Sequence, residues 1–277
     1  MILAIDAGNT RLKWGWHDGA RWISVGDLKI AELAELADLA DLAERNPDAG
    51  GANPLTGQGH VPQQIVIANV AGENVAARLS AWITGFGVPA HWLRAERERC
   101  GVTNLYDTPE QLGADRWAAL IAARALLAGE CRGETQEEFN GQFHGEFHGE
   151  FHGECLVVCA GTATTADILN ARGEFSGGVI LPGSALMKAA LHHNTGGLPL
   201  GEGRVLAAGR NTLDAIESGC MHAQAGAIER MHRALSPEAG CLVSGGAGRA
   251  LAQSLAFPAR YVENLVLEGL ALVAARN

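Results

Sequence analysis

Short apolar runs in this chain alternate with small polar turns and longer helical stripes. The first run, Ile2-Leu3-Ala4-Ile5, is followed by the small polar residues of positions 6–10 and by a second apolar stretch that ends at Trp16. Glycine and asparagine tolerate the positive φ angles of a tight turn. The pattern therefore predicts a strand, a turn and a second strand at the start of the chain.

A second unit of the same kind occurs in the middle of the sequence. The run Leu156–Cys159 precedes the small residues Ala160–Thr165, and the apolar pattern then continues to Leu169. Two strand-turn-strand units in one chain suggest a duplicated lobe. A third glycine-rich turn, Ser244–Gly248, follows an apolar run and opens a helix.

The remaining periodicity predicts an α/β arrangement. Strands are expected at 65–70, 91–93, 178–181 and 241–244, and helices at 71–81, 115–127, 185–193, 211–234 and from 264 onward. A further helix is expected at 30–45, where leucines recur every third residue, and 46–62 should be a loop rich in Gly, Pro and Asn. Because the leucine stripe drifts around the helix, we interpret it as core packing rather than a dimer zipper.

A low-complexity segment divides the chain. Residues 139–154 consist of FNGQ followed by three copies of FHGE, which space His144, His148 and His152 four residues apart. A glycine in each unit costs about 1 kcal/mol in a helix, so we expect an inserted segment and not a helical metal site. The predicted domains are an N-terminal lobe at 1–128, an insertion at 129–154 and a C-terminal lobe at 155–277.

Charge and cysteine spacing exclude several classes of function. The net charge of −10 and the lack of a Lys/Arg run argue against nucleic acid or an anionic membrane as a partner. None of the six cysteines forms a C-x-x-C pair, which is the usual mark of a zinc knuckle or redox dithiol. The sequence has neither a signal-peptide pattern nor 18 consecutive apolar residues, so we expect a cytoplasmic protein.

The two turns carry residue types suited to phosphate binding. The first contains Asp6, Gly8, Asn9, Thr10 and Lys13. Glycine allows close backbone approach, amides and hydroxyls bind phosphate oxygens, and a carboxylate suits Mg²⁺. The second turn, Gly161–Thr165, offers a glycine and hydroxyls in the same way. Each turn by itself is also compatible with an ordinary hairpin, but together they could hold the phosphates of ATP between two lobes.

The segment from Tyr106 to Trp117 lies at a predicted loop-to-helix junction. In one interpretation Asp115 caps the helix and Arg116 is a solvated surface residue. In the other, Asp115 accepts a proton from a substrate hydroxyl beside the Arg116 cation. Helix N-termini serve both purposes, so position alone leaves the choice open.

Four motifs in order resemble those of the type III pantothenate kinases. They are D-x-G-N-T from Asp6, L-G-x-D-R from Leu112, G-T-x-T-T from Gly161, and G-G-V-I-x-P-G from Gly177 to Gly183. The resemblance covers nearly the whole chain. It implies the two-lobed actin-like ATPase (ribonuclease H-like) fold of the actin/Hsp70/sugar-kinase superfamily, with duplicated lobes and ATP in the cleft. The implied reaction transfers the γ-phosphoryl group of ATP to the 4′-hydroxyl of pantothenate, the first step of coenzyme A synthesis.

The resemblance also implies roles for individual residues. Asp115 corresponds to the catalytic base, and Asp6 to a Mg²⁺-side carboxylate that acts indirectly. The expected ATP-binding set is Asp6, Ala7, Gly8, Asn9, Thr10, Arg11, Leu12, Lys13 and Thr162. The expected substrate-binding set is Tyr106, Gly113, Ala114, Asp115, Arg116 and Thr195, and the family's homodimer forms the pantothenate pocket at its interface.

One position departs from the family pattern. The family has an aspartate before the second turn that binds K⁺ or NH₄⁺, whereas this chain has Cys159 there. Potassium prefers oxygen ligands and a neutral thiol is a poor substitute. We therefore expect a weakened monovalent-cation site or one rebuilt from other oxygens.

Two other functions are compatible with the fold that the resemblance implies. The first is a catalytically silent regulatory protein, and the presence of Asp6, Asp115 and Thr162 argues against it. The second is a sugar or acetate kinase of the same superfamily, and the L-G-A-D-R segment argues against that.

Overall fold

The computed structural model describes residues 1–33, 61–129 and 153–276. The chain divides into two compact units: Met1–Gly141 with Leu265–Asn277, and Gln142–Asn264. The described start of the predicted helix at 30–45 is a short 3-10 helix, Ile30–Glu32. The rest of that helix, most of the loop at 46–62 and positions 139–152 of the low-complexity repeat lie outside the described residues.

The first unit is built on a mixed sheet. Its strands are β1 (Ile2–Ala7), β2 (Arg11–His17), β3 (Trp22–Lys29), β4 (Gln64–Asn69) and β5 (Ala90–Trp92), in the order β3-β2-β1-β4-β5. β1 to β3 are antiparallel neighbours, and β4 and β5 continue parallel to β1. The predicted strand-turn-strand at the start of the chain is confirmed, while β3 had no recognised sequence signal.

Among its described residues, the first unit also contains three α-helices and a small hairpin. The helices are α1 (Glu73–Thr84), α2 (Ala114–Leu127) and α6 (Leu265–Ala275), and the hairpin pairs β6 (Glu98–Arg99) with β7 (Val102–Asn104). A 3-10 helix at Pro109–Gln111 precedes α2. The N-terminal core contains large side chains such as Leu3, Ile5 and Trp16, each fully buried.

The second unit repeats the topology of the first. Its strands are β8 (Cys155–Ala160), β9 (Ala163–Leu169), β10 (Glu174–Pro182), β11 (Gly240–Ser244) and β12 (Arg260–Tyr261). They follow the order β12-β11-β8-β9-β10, with β8 to β10 antiparallel and β11 and β12 parallel to β8. An antiparallel three-strand meander extended by two parallel strands therefore occurs twice, which confirms the duplicated lobe.

Helices pack on the second sheet or on one another. They are α3 (Ser184–Asn194), α4 (Thr212–His232) and α5 (Gly248–Ser254). Leu156 and Val158 of β8 pack in one buried cluster with Met221 and Ile228 of α4. Within the described residues, no helix combines the length and apolar character that a membrane span requires.

The C-terminal helix joins the first unit, and this differs from the predicted C-terminal lobe at 155–277. The second unit ends at Asn264, and α6 packs on α2 of the first unit. A Cβ atom on Gly269 would collide with the carbonyl of Ala118. The alanine-rich face of α2 and this glycine therefore let two helix backbones approach closely.

We expect Gly269→Ala to lower the free energy of unfolding by about 1 to 3 kcal/mol, the usual cost of overpacking a filled core. The added methyl group must push α6 away from α2. Gly226→Ala in α4 is the matched control, because a Cβ there meets nothing within 4 Å. It should stabilise the protein by about 0.5 to 1 kcal/mol. Urea denaturation of both variants measures the difference, and equal stability changes would contradict the close-packing interpretation.

Candidate active site

The first turn joins β1 to β2 in the first unit. The Gly8 amide donates to the Arg11 carbonyl at 3.1 Å, which closes the turn. Asp6 lies directly opposite Lys13 across the strand pair, so both side chains share one face of the sheet. The next pair, Ala7 and Leu12, points into the core and is fully buried. The other turn residues, Asn9, Thr10 and Arg11, are exposed.

The segment from Tyr106 to Trp117 reaches the same edge of this sheet. β1 and β4 are parallel, so their carboxyl ends lie side by side, and Val70 follows the end of β4. A Cβ on Gly113 would lie 3.6 Å from Val70 and only 2.6 Å from Oδ1 of Asp115. Glycine at 113 thus makes room for the Asp115 carboxylate, which also accepts the Arg116 amide at 2.8 Å.

Asp6 and Asp115 are close enough to repel each other. Burial and, less strongly, the Asp115 charge raise the pKa of Asp6 to about 7, although the Lys13 charge opposes both effects. Burial also raises the pKa of Asp115, against the hydrogen bond from the Arg116 amide and the Arg116 charge. A carboxyl group that titrates near neutrality can exchange protons with a substrate, and such groups concentrate in active sites.

The surroundings of Asp115 exclude one of its two interpretations. Gly113 is the N-cap of α2 and Asp115 is the second helical residue, so the capping interpretation is wrong. Arg116 is only 6% exposed and its guanidinium donates to the Tyr106 hydroxyl at 3.2 Å. The interpretation of Arg116 as a solvated surface residue is therefore also wrong.

Two residues that sequence reasoning missed hold the Tyr106 loop. Asn104 is fully buried, accepts the Tyr106 amide at 3.0 Å and donates to the Pro109 carbonyl at 3.1 Å. Arg97 donates to the carbonyls of Asn104 and Tyr106 at 2.7 and 3.1 Å. Neither residue belongs to a recognised motif, although an asparagine just before the loop was a weak signal for a turn-stabilising side chain.

The second turn is locked by glycines from two other motifs. Gly161 and Thr162 connect β8 to β9 and are exposed. The Gly183 amide donates to the Thr162 carbonyl at 2.9 Å, and a Cβ on Gly183 would collide with the Gly161 carbonyl. Gly245 has φ +97°, and a Cβ atom there would collide with the Ala160 carbonyl in the same way. The second turn, the G-G-V-I-x-P-G segment and the late glycine-rich turn thus meet in one place.

The late glycine-rich turn also contacts an aromatic ring. The Tyr261 ring lies against Gly248, where a Cβ would be 3.1 Å from the ring. The Arg249 guanidinium lies over that ring, 4.7 Å from its centroid. Neither Arg249 nor Tyr261 belongs to a motif that the sequence analysis recognised.

Thr164 and Thr165 of the second turn point to opposite faces of the sheet. Thr164 donates a buried hydrogen bond of 2.6 Å to Gln224 of α4, so its hydroxyl stabilises the fold. Thr165 is 8% exposed, and its hydroxyl has no hydrogen-bond partner among the described residues. Cys159 lies directly opposite Thr165 on the same sheet face. Gln224 had no recognised sequence signal.

Thr195 lies apart from the second turn within its unit. It follows the last residue of α3, whereas Gly183 at the other end of that helix contacts the turn. An 11-residue helix is about 16 Å long. The Thr195 hydroxyl donates to the Leu191 carbonyl at 2.7 Å, and the residue lines an open apolar groove of about 750 Å³ between α3 and α4.

The chemistry of the donor groups suits one metal ion better than the other. Mg²⁺ commonly takes one or two protein carboxylates together with substrate phosphates, and Asp6 beside the first turn meets that need. Among the described residues, no three His, Cys, Asp or Glu side chains cluster as a complete metal cage. At the K⁺ position, the thiol of Cys159 and the hydroxyl of Thr165 do not supply a charged oxygen, so the residues there do not fit the family's cation site.

Known proteins with similar structures have the same fold. A protein from Campylobacter jejuni described as a Baf family transcriptional activator superposes with a TM-score of 0.56 at 22% identity, covering 99% of this chain and 98% of that chain. The ethanolamine utilization protein EutJ from Carboxydothermus hydrogenoformans superposes with a TM-score of 0.51 at 10% identity, covering 98% and 89%. At these identities the likeness concerns the fold alone. The predicted actin-like, sugar-kinase type of fold is confirmed.

Sequence comparisons are more specific. The family model for type III pantothenate kinase matches residues 2–131 and 143–234. A type III pantothenate kinase from Aromatoleum aromaticum is 48% identical over 100% of this chain and 99% of its own length. Another, from Dechloromonas aromatica, is 39% identical over 100% of both chains. This chain therefore belongs to the type III pantothenate kinase family.

Proposed function

We propose that this protein transfers the γ-phosphoryl group of ATP to the 4′-hydroxyl of pantothenate and forms 4′-phosphopantothenate for coenzyme A synthesis. Membership of the family supports the reaction. The observation that carries the proposal is the pair of mutually repelling carboxylates, Asp6 and Asp115, beside the first turn. Asp115, the proposed base for the pantothenate hydroxyl, thus lies close to Asp6, the proposed carboxylate on the ATP side.

Asp115 is the base in this proposal. The pKa of Asp115 is raised towards neutral pH, and a base with such a pKa is ionised yet basic enough to take a proton. The Gly113 site and the Arg116 amide hold the carboxylate in one orientation. As the substrate oxygen attacks phosphorus, its proton moves to Asp115.

The two turns bind the phosphates of ATP. In the first unit this assigns to ATP the residues Asp6, Ala7, Gly8, Asn9, Thr10, Arg11, Leu12 and Lys13. Ala7 and Leu12 contribute only backbone groups, because their side chains are buried. In the second unit Thr162 is assigned to ATP, held in place by Gly183. A bound Mg²⁺ would neutralise phosphate charge, and Asp6 is the residue that would hold it through water.

The proposal also assigns residues to pantothenate binding. Tyr106, Gly113, Ala114, Asp115 and Arg116 belong to the first unit and Thr195 to the second. Arg116 is oriented by Tyr106, which favours donation to substrate oxygens over a solvent-facing role. Tyr106 is in turn held by Asn104 and Arg97.

We also propose that the protein works as a cytoplasmic homodimer. The groove beside Thr195 is apolar, and Leu186 and Leu191 on its wall are 47% and 36% exposed. Adjacent exposed apolar side chains are typical of protein interfaces. A second copy of this chain is the occupant that the family favours.

The proposal is tested by coupled ADP release with ATP and pantothenate. The parent protein should turn over, and Asp115→Asn should lower kcat by about 10² to 10⁴, the usual contribution of a general base. Its circular dichroism and pantothenate affinity should stay those of the parent. No turnover by the parent would favour the regulatory alternative, and near-normal turnover by Asp115→Asn would remove Asp115 as the base.

The electrostatic coupling predicts a pKa change at Asp6. In the ligand-free parent, Asp6 should titrate near pH 7. Asp115→Asn removes a charge that raises the pKa of Asp6, so Asp6 should titrate at lower pH in that variant. Folding raises the pKa of Asp6, so the folded state binds its proton more tightly than the unfolded chain does. The resulting contribution to stability is complete at pH values below the pKa of Asp6 in the unfolded chain and is lost as the pH rises towards 7. Carboxyl ¹³C NMR titration measures both values, and an unchanged Asp6 pKa in Asp115→Asn would disprove the coupling.

The cysteine before the second turn predicts altered cation dependence. Turnover of the parent in Na⁺, K⁺ and NH₄⁺ buffers should differ by no more than about two-fold, since a neutral thiol binds K⁺ poorly. Cys159→Asp should introduce K⁺ activation, and Cys159→Asn, which has a neutral oxygen, is its control. Strong K⁺ activation of the parent that Cys159→Asp does not increase would show that the cation site does not depend on this position.

A further inference from the structure

An irregular segment after Thr195 is attached to α4 along one face. We name Leu198–Arg210 the strap; it contains neither helix nor strand. The amide of Arg204 donates to Asp214 at 2.8 Å, and the amide of Leu206 donates to Ser218 at 2.9 Å. The Leu206 carbonyl contacts Nε2 of His222 at 2.9 Å. Positions 214, 218 and 222 are spaced by four, so one stripe of α4 satisfies the backbone of the strap.

Two glycines bring the strap directly onto the helix backbone. A Cβ on Gly203 would collide with the Leu213 carbonyl, and a Cβ on Gly209 would collide with the Ala215 amide. Hydrogen bonds from the Arg204 side chain and amide, helped by the Arg204 charge, also hold the pKa of Asp214 at about 2, so this anchor stays ionised at neutral pH. The strap is therefore held on α4 by specific contacts.

Glu217 connects the strap, α4 and α3. Its Oε2 atom accepts Nζ of Lys188 on α3 at 2.8 Å and the Gly203 amide of the strap at 3.4 Å. The Lys188 and Glu217 side chains are only 19% and 15% exposed, so solvent screens this ion pair less than a surface pair. One carboxylate thus holds both chain segments that flank the loop 195–197.

That loop needs external support to keep one conformation. It consists of Thr195 and two exposed glycines, Gly196 and Gly197, at which a Cβ would meet nothing within 4 Å. Glycine has the largest conformational freedom to lose on ordering. Besides the Thr195 hydroxyl bond, His192 contacts the Leu198 carbonyl at 2.8 Å, which closes the loop locally.

We propose that Glu217 is a positioning residue that orders the loop 195–197 for pantothenate by anchoring α3 and the strap to α4. This inference rests on the proposed contact of Thr195 with pantothenate. Ordering a loop before the substrate binds lowers the entropic cost of binding. Loss of the anchor therefore weakens pantothenate binding and leaves the ATP side unchanged.

Steady-state kinetics with both substrates test this role. Glu217→Gln keeps the size and an acceptor oxygen but removes the charge that holds Lys188, and Lys188→Met removes the partner. Each should raise the KM for pantothenate about ten-fold, and change kcat and the KM for ATP by less than two-fold, since ordering affects substrate binding. The double variant should match the single ones, because both act through one ion pair. Glu174→Gln, which breaks the exposed pair with Arg172, is the control and should match the parent.

Hydrogen exchange separates the anchor from the proposed contact. Amides of 195–206 should exchange faster in Glu217→Gln, whatever the role of Thr195. Normal exchange there, or an unchanged KM for pantothenate, would overturn the inference, as would an equal loss in all kinetic parameters. Thr195→Val with a normal KM for pantothenate would instead remove the contact on which it rests.

Sedimentation of the Glu217 variant must show the same oligomer as the parent. A shift to smaller species would overturn the inference, because the change in KM would then come from loss of the dimer interface. Lys188→Met decides alone if the Glu217 variant does not fold.

Discussion

Two carboxylates held against their mutual repulsion are the constraint on which the first unit depends. Asp6 and Asp115 come from distant parts of the chain and share a poorly hydrated edge of the sheet; burial raises the pKa of both, and the Asp115 charge raises that of Asp6 further. The surrounding structure must supply the free energy that keeps them there. Parallel pairing of β1 with β4 brings the edge together, and the close approach of Gly269 to Ala118 holds α2, the helix that carries Asp115.

The second unit has the same topology, but its turn is held in place by other contacts. The turn Gly161–Thr165 contains no carboxylate, and its conformation is fixed by backbone packing at Gly183 and Gly245. Side chains behind the turn, such as Thr164 with Gln224, are directed to the helix and stabilise the sheet. The functional groups presented by this turn are therefore amides and the Thr162 hydroxyl, which suit phosphate oxygens.

The strap shows how an irregular segment can be as well defined as a helix. Its backbone donors find side-chain acceptors on α4, and its glycines allow contact with the helix backbone. Buried backbone groups need such partners wherever regular pairing is absent. Glu217 adds α3 to the same arrangement, so the position of the Thr195 loop depends on residues that are not adjacent to it in sequence.

The sequence by itself determined the duplicated strand-turn-strand units, the α/β class and the family, because local periodicity and ordered motifs carry that information. Asp6, Gly113, Asp115 and Gly183 could all be singled out from motifs. Only the tertiary structure decided that α6 belongs to the first unit, that Arg116 is buried, and that Asn104, Gln224 and Glu217 hold the site segments. These residues act through contacts between distant positions, and no local pattern of hydrophobicity or turn chemistry records which distant groups a side chain will meet.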